Sequence, residues 1–123
     1  MAPRLFMRLF AALVFLFAMS VAQPAHATPL TVTSAPCSIT GYYAPDPANY
    51  GTFSCTANAT GGTGSYSYYW TVFTWCCGDQ YWASTRTITG NCKWGTVRIF
   101  TVYVTDSGGA TASKGTSINC TRP

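Results

Sequence analysis

The side chains best suited to chemistry in this chain are its cysteines and a short aromatic segment around them. Residues 75–82 read WCCGDQYW, and a further tryptophan follows Cys92 closely. Exposed aromatic rings beside Asp, Gln or Asn side chains can stack on the apolar faces of sugars, and aromatic rings also anchor protein interfaces. The sequence therefore gives five candidate binding residues: Trp75, Asp79, Tyr81, Trp82 and Trp94.

An alternative interpretation gives these aromatic rings a structural role. Disulfides in the same segment would hold Trp75, Tyr81, Trp82 and Trp94 near one another, where they could pack as a second small core. A separate group of tyrosines lies among Pro and Gly residues in residues 40–50, and we expect it to cover an edge of the fold, with adhesion as the alternative.

The composition argues against catalysis and against a metal site. The chain has one His, at position 26, no Glu and three Asp residues. A Ser-His-Asp site needs an imidazole base, a glycosidase needs a carboxylate pair, and a calcium site needs several convergent carboxylates. We therefore predict no catalytic residue, no cofactor and no metal, and we interpret Asp79 and Asp106 as turn residues.

The first 27 residues have the three parts of a secretory signal peptide. Arg4 and Arg8 precede an apolar run at 9–19, and an Ala25-His26-Ala27 cleavage motif follows. The run is shorter than the roughly 20 residues of a spanning helix. We predict cleavage after Ala27 and a mature domain at 28–123; an uncleaved anchor helix is the alternative, which Pro24 disfavours.

The predicted secretion indicates what the cysteines after residue 27 do and where the protein is found. An even number of cysteines in a secreted chain indicates disulfides rather than zinc ligands, and we expect an extracellular protein, or a periplasmic one in a Gram-negative source. No later stretch is long enough to span a membrane. Only five basic residues remain after position 27 and they are scattered, so we predict no nucleic-acid partner.

Alternating apolar and polar residues predict strands rather than helices. The predicted strands are 31–33, 52–59, 66–73, 84–89, 97–105 and 110–120, with a loop at 40–47. Six or seven short strands at this spacing are typical of an all-β sandwich. The inward positions of these strands give the predicted core: Phe53, Trp70, Phe100, Val102 and Val104.

Two segments resemble the immunoglobulin-like (Ig-like) sandwich modules of bacterial secreted proteins, including the PKD family. Residues 53–70 are similar to strand B, a Gly-rich turn and strand C of those modules, and residues 100–110 are similar to strand F, an Asp-Ser-x-Gly turn and strand G. The resemblance implies a disulfide-stapled antiparallel sandwich of about seven strands over 28–123, with Trp70 in its core.

The same resemblance implies a disulfide arrangement. It places all six cysteines at one pole and leaves the opposite pole, at 61–65 and 106–109, without bridges. The implied pairing joins Cys37 to Cys120, while Cys76 and Cys77 take Cys55 and Cys92 in either order. A vicinal Cys76–Cys77 bridge is the alternative.

These observations favour a secreted, non-enzymatic module that binds an extracellular protein or a cell-surface component. Two alternatives stay open: a small carbohydrate-binding protein that uses the aromatic segment, and a secreted inhibitor or toxin. We expect the partner to be an extracellular protein or a glycan.

Overall fold

The structure is a computed structural model that describes residues 28–123, so the predicted signal peptide lies outside the described residues. Within that range the chain is all-β, with no helix, as the residue patterns predict. Its strands are β1 (Thr31–Ser34), β2 (Cys37–Tyr42), β3 (Tyr50–Thr56), β4 (Asn58–Thr60), β5 (Tyr66–Thr74), β6 (Gly78–Ala83), β7 (Thr87–Lys93), β8 (Val97–Asp106) and β9 (Thr111–Asn119).

The strands form three antiparallel sheets. β1 pairs with β4, the second sheet has the order β2-β3-β7, and the third has the order β6-β5-β8-β9. The described residues thus contain nine strands, more than the six or seven predicted. The chain 28–123 contains no helix long and apolar enough to cross a membrane.

Two of the additional strands, β2 and β6, were not predicted. The loop predicted at 40–47 begins only after Tyr42, because β2 pairs with β3 in spite of Gly41. β6 lies at a sheet edge and has only exposed residues over its first four positions, so no apolar alternation marks it. The predicted strand 52–59 divides at Ala57, since β3 pairs with β7 whereas β4 pairs with β1.

Side chains of the three-stranded and four-stranded sheets meet in one core. Phe53 of β3 contacts Phe100 of β8 with ring centroids 5.4 Å apart, and Trp70 of β5 meets the edge of Phe100 at 6.4 Å. The Trp70 indole donates its N–H to the Thr85 carbonyl at 2.8 Å, which satisfies the polar atom of an otherwise apolar ring. The five residues predicted as core are completely buried: Phe53, Trp70, Phe100, Val102 and Val104.

One end of the molecule is held by hydrogen bonds rather than by disulfides. The turns at 61–65 and 107–110 meet there, and the buried Asp106 carboxylate accepts backbone N–H bonds from Thr63 and Ala110, both at 2.9 Å. Ser107 adds a backbone bond to the Thr63 carbonyl at 3.0 Å. The bond from Thr63 is the largest cause that lowers the pKa of Asp106, and burial opposes it.

Acid should weaken this end of the molecule. Because the pKa of Asp106 is lower in the folded than in the unfolded chain, its carboxylate adds stability above the unfolded-state pKa, and this stability is lost as the pH falls through the folded-state pKa. We expect Asp106→Asn to destabilise the protein at neutral pH. Its free energy of unfolding, measured with urea at a series of pH values, should then fall less steeply at acid pH than that of the original protein. Asp79→Asn, which removes an exposed carboxylate near the opposite end, should leave the loss of unfolding free energy in acid unchanged. An equally steep loss in Asp106→Asn would contradict the assignment.

Gly90 is required by the close approach of two aromatic rings. A Cβ at this position would lie 2.6 Å from Trp82 Cζ2 and 3.0 Å from Phe53 Cε1. We expect Gly90→Ala to lower the free energy of unfolding by about 1–3 kcal/mol through overpacking. Gly115→Ala is the matched control in another strand, since its nearest neighbour would be a carbonyl oxygen at 4.0 Å. Equal effects in urea denaturation would refute the packing argument.

Candidate functional site

The cysteines pair differently from the prediction. The bridges are Cys37–Cys55, Cys76–Cys77 and Cys92–Cys120, so the implied Cys37–Cys120 bond is wrong and the vicinal alternative is the one formed. All six cysteines of the described chain are bonded. Three disulfides are compatible with an extracellular protein.

The strand register explains two of these bridges. Cys37 lies directly opposite Cys55 in the β2–β3 ladder, so the nearest thiol is on the neighbouring strand of the same sheet. Cys92 belongs to β7 and Cys120 follows β9, so this bridge ties the three-stranded sheet to the four-stranded one. The cysteines therefore do not gather at a single pole. Cys92 pairs with Gly51 in the β3–β7 ladder, and Cys55 lies four residues further along β3, so these two bridges are at different ends of that strand.

The vicinal bridge lies in the turn between β5 and β6. Both sulfur residues are exposed, and Gln80 donates its side-chain amide to the Cys77 carbonyl at 2.9 Å. Thr74 closes the turn by donating its hydroxyl to the Gly78 carbonyl at 2.9 Å. Trp75 begins this turn and is 92% exposed, so the turn presents a large ring to solvent.

The outward side of the four-stranded sheet and the adjoining β5–β6 turn carry two neighbouring groups of aromatic rings. Successive strand residues point to opposite faces, so burial of Trp70 and Val72 directs Tyr69 and Phe73 outward. Tyr69 packs against Tyr81 of β6 at 5.2 Å and Tyr103 of β8 at 6.2 Å. Phe73 meets Trp75 edge-on at 5.2 Å. We call this surface the aromatic face: Tyr69, Phe73, Trp75, Tyr81 and Tyr103.

Thr71 lies in the middle of the aromatic face. It sits between Tyr69 and Phe73 along β5 and opposite Tyr81 and Thr101 in the neighbouring strands. These neighbours leave it only 6% exposed, and its hydroxyl has no hydrogen-bond partner within residues 28–123. Buried hydroxyls are usually paired, so the unpaired Thr71 hydroxyl adds a polar group beneath the rings.

The structure separates the five candidate binding residues. Trp75, Asp79 and Tyr81 are exposed on or beside the aromatic face, with Asp79 opposite Phe73. Trp82 is instead the extra residue of a β-bulge, and its ring packs against Phe53 at 6.1 Å and Phe100 at 5.4 Å. The Trp82 ring therefore packs against the core shared by the two larger sheets, and not into a second small core on the disulfides.

Trp94 also has a structural position. Its ring lies directly against Gly51, its indole donates to the Pro47 carbonyl at 3.2 Å, and Tyr42 meets it edge-on at 5.7 Å. It is half-buried beside the 43–49 loop, away from Tyr81 and Trp75. Trp82 and Trp94 are therefore placed as packing residues, and the expected cluster of four rings does not form.

Three residues of the aromatic face were not selected from the sequence: Tyr69, Phe73 and Tyr103. The sequence alternation contains the information needed to select them. If Trp70 faces the core, its neighbours along the strand must face outward. Their exposed fractions are 47% for Tyr69 and 39% for Phe73, so these are large rings that the core does not use.

A cavity opens at the Cys92–Cys120 end of the molecule, where β5 and β8 part. Their ladder ends at the pair Val72–Phe100, and beyond it lies a partly open space of about 280 Å³. The Cys120 backbone binds the neighbouring turn through Gly95 and Thr96, with both bonds at 2.8 Å. We call this space the end cavity; it is lined by Tyr50, Phe73, Trp75, Lys93, Thr96, Val97 and Arg98.

The end cavity is the positively charged part of the site. Lys93 is exposed at the end of β7, whereas Arg98 is half-buried and its guanidinium carbon lies 5.8 Å from the centre of the Trp82 ring. In residues 28–123 no Asp side chain lines this cavity. The same range holds no cluster of His, Cys, Asp or Glu suited to a metal ion.

Comparison of the chain with protein-family models, with curated proteins and with solved structures finds no match.

The disulfides with the longest and the shortest sequence separation should differ in their contribution to stability. Cys92–Cys120 spans 28 residues and joins two sheets, so Cys92→Ala/Cys120→Ala should lower the free energy of unfolding by about 2–5 kcal/mol. Cys76–Cys77 spans one residue and is exposed, so Cys76→Ala/Cys77→Ala should cost less than about 1.5 kcal/mol. Urea denaturation compares the variants, and mass-spectrometric mapping checks the bridges. Equal losses would contradict these roles.

Proposed function

We propose that this protein is a secreted, non-enzymatic Ig-like β-sandwich module that binds a protein or cell-surface component through its aromatic face. The observation that carries the proposal is the exposure of Tyr69, Phe73, Trp75 and Tyr81 on one side of a single sheet. Contiguous exposed apolar surface on a small domain is unusual unless it makes an interaction.

The sandwich is supported by the shared core and the connectivity. The three-stranded and four-stranded antiparallel sheets bury Phe53, Trp70 and Phe100 between them. The two segments that resemble Ig-like modules form β3–β4–β5 and β8–β9, and their turns meet at the Asp106 end. Secretion is supported by the signal-peptide pattern and by three disulfides.

Contacts among the rings of the aromatic face also support a binding role. Tyr69 packs against both Tyr81 and Tyr103, and Trp75 meets Phe73 edge-on beside the vicinal bridge. Rings that are already ordered lose little conformational entropy when they bind. Catalysis remains the poorer explanation, because the sequence after residue 27 has no His and no Glu.

Carbohydrate binding is the second candidate, and one observation favours it. Trp75 is almost fully exposed at the mouth of the end cavity, next to the polar side chains of Lys93 and Thr96. A ring beside polar groups fits the two faces of a sugar, whose C–H groups stack while its hydroxyls form hydrogen bonds.

The aromatic face should dominate binding. We expect fluorescently labelled protein to bind intact cells or cell-wall preparations, and we expect Tyr69→Ser/Tyr81→Ser to weaken that binding about tenfold or more, as hot-spot aromatics do. Tyr42→Ser is the matched control, since Tyr42 is 50% exposed but belongs to the three-stranded sheet.

The control separates a specific surface from general stickiness. Equal losses in the double variant and in Tyr42→Ser would mean that exposed tyrosines bind without a specific face, and the proposal would fail. Thermal unfolding of each variant, followed by circular dichroism, checks that the fold is intact. Full binding by a folded Tyr69→Ser/Tyr81→Ser protein would likewise refute the proposal.

A further inference from the structure

The end cavity combines two cationic groups in a partly enclosed space. Lys93 approaches it from β7 and Arg98 from β8, and no Asp of the described chain lines it. Like charges around one cavity repel each other, and an anion placed between them lowers that energy. The charge distribution therefore favours an anionic group in this cavity.

Arg98 is positioned for such a group. Its guanidinium carbon lies 5.8 Å from the Trp82 ring centre, and the side chain is half-buried. A cation–π contact of this kind does not use up the guanidinium N–H groups, and these N–H groups fit a carboxylate or sulfate in pairs. The Trp82 bulge that completes the core thus also orients a cationic side chain.

The remaining lining suits a ring with both polar and apolar surfaces. Trp75 offers a flat, exposed ring, and Tyr50 and Thr96, which carry hydroxyl groups, also line the cavity. The cavity volume of about 280 Å³ is slightly below the roughly 300–1,000 Å³ of pockets for drug-sized ligands. The space therefore suits one ring-sized unit of a longer molecule.

We infer that the end cavity binds one acidic sugar residue of an extracellular polysaccharide. The sugar ring stacks on Trp75, and its anionic group lies between Lys93 and Arg98. The inference rests on the proposed function and names the chemical class of the cell-surface component. A uronic-acid carboxylate and a sulfate ester present the same chemistry here, namely an anionic oxygen group on a sugar.

Calorimetric titration tests the class of ligand. The purified protein is titrated with oligogalacturonate, which carries carboxylates, with heparin, which carries sulfates, and with neutral dextran. We expect binding to at least one acidic glycan and none to dextran, with affinity that falls as NaCl increases. The tighter of the two acidic ligands identifies the group. Binding to dextran that equals binding to both acidic glycans would overturn the inference.

Charge variants test the location of the site. Lys93→Glu should weaken acidic-glycan binding about tenfold, because it removes an attraction and adds a repulsion. Lys114→Glu is the matched control, since Lys114 is an exposed residue of β9 and does not line the cavity. Arg98→Gln should also weaken binding. Equal effects of Lys93→Glu and Lys114→Glu would show that net charge alone acts and would overturn the inference.

The outcomes distinguish this inference from the proposed function. If neither acidic glycan binds, yet Tyr69→Ser/Tyr81→Ser still loses cell binding, the acidic-sugar site is wrong and the binding role of the aromatic face stands. If acidic glycans bind in a Lys93-dependent manner while the tyrosine variants keep full cell binding, the end cavity with Trp75 stands, and Tyr69 and Tyr81 are not part of the contact surface.

Discussion

The contact between Phe53 and Phe100 joins the two larger sheets, and most of the structure follows from it. After residue 27 the chain has one Leu, at position 30, so aromatic rings rather than leucines fill the core. Trp70 and Trp82 complete the group around Phe100. These rings approach so closely that Gly90 cannot carry a side chain, and a β-bulge is needed to turn Trp82 inward.

The core also determines which side chains face solvent. Because strand residues alternate, placing Trp70 and Val72 inside puts Tyr69 and Phe73 outside. Alternation requires that some residue faces outward, but it does not require an aromatic one. Along β3 the outward side chains are Tyr50, Thr52, Ser54 and Thr56, whereas along β5 they are Ser67, Tyr69, Thr71 and Phe73, so β5 presents more aromatic surface. This difference between the two sheets supports a binding role for the aromatic face.

The two ends of the molecule are stabilised by different physical means. At one end the Asp106 carboxylate holds two turns through charge-assisted hydrogen bonds, which depend on pH. At the other end Cys92–Cys120 ties the sheets covalently next to the end cavity, and the vicinal bridge fixes the turn that carries Trp75. The proposed ligand site thus lies at the covalently held end, where β3, β5, β7 and β8 each contribute lining residues.

The amino-acid sequence alone predicts the all-β class, the inward residues of the main strands and the two turns that meet at Asp106, because alternation and Gly-rich turns are local signals. It could not determine the disulfide pairing, since which thiols meet depends on register, and β2 pairs Cys37 directly with Cys55. Nor could it show β6, an exposed edge strand, or tell that Trp82 and Trp94 pack inward while Trp75 stays exposed. The tertiary structure places these tryptophans, because a β-bulge turns Trp82 inward, a glycine makes room for Trp94, and Trp75 follows the place where β5 and β8 part. Each of these features depends on residues far apart in the chain.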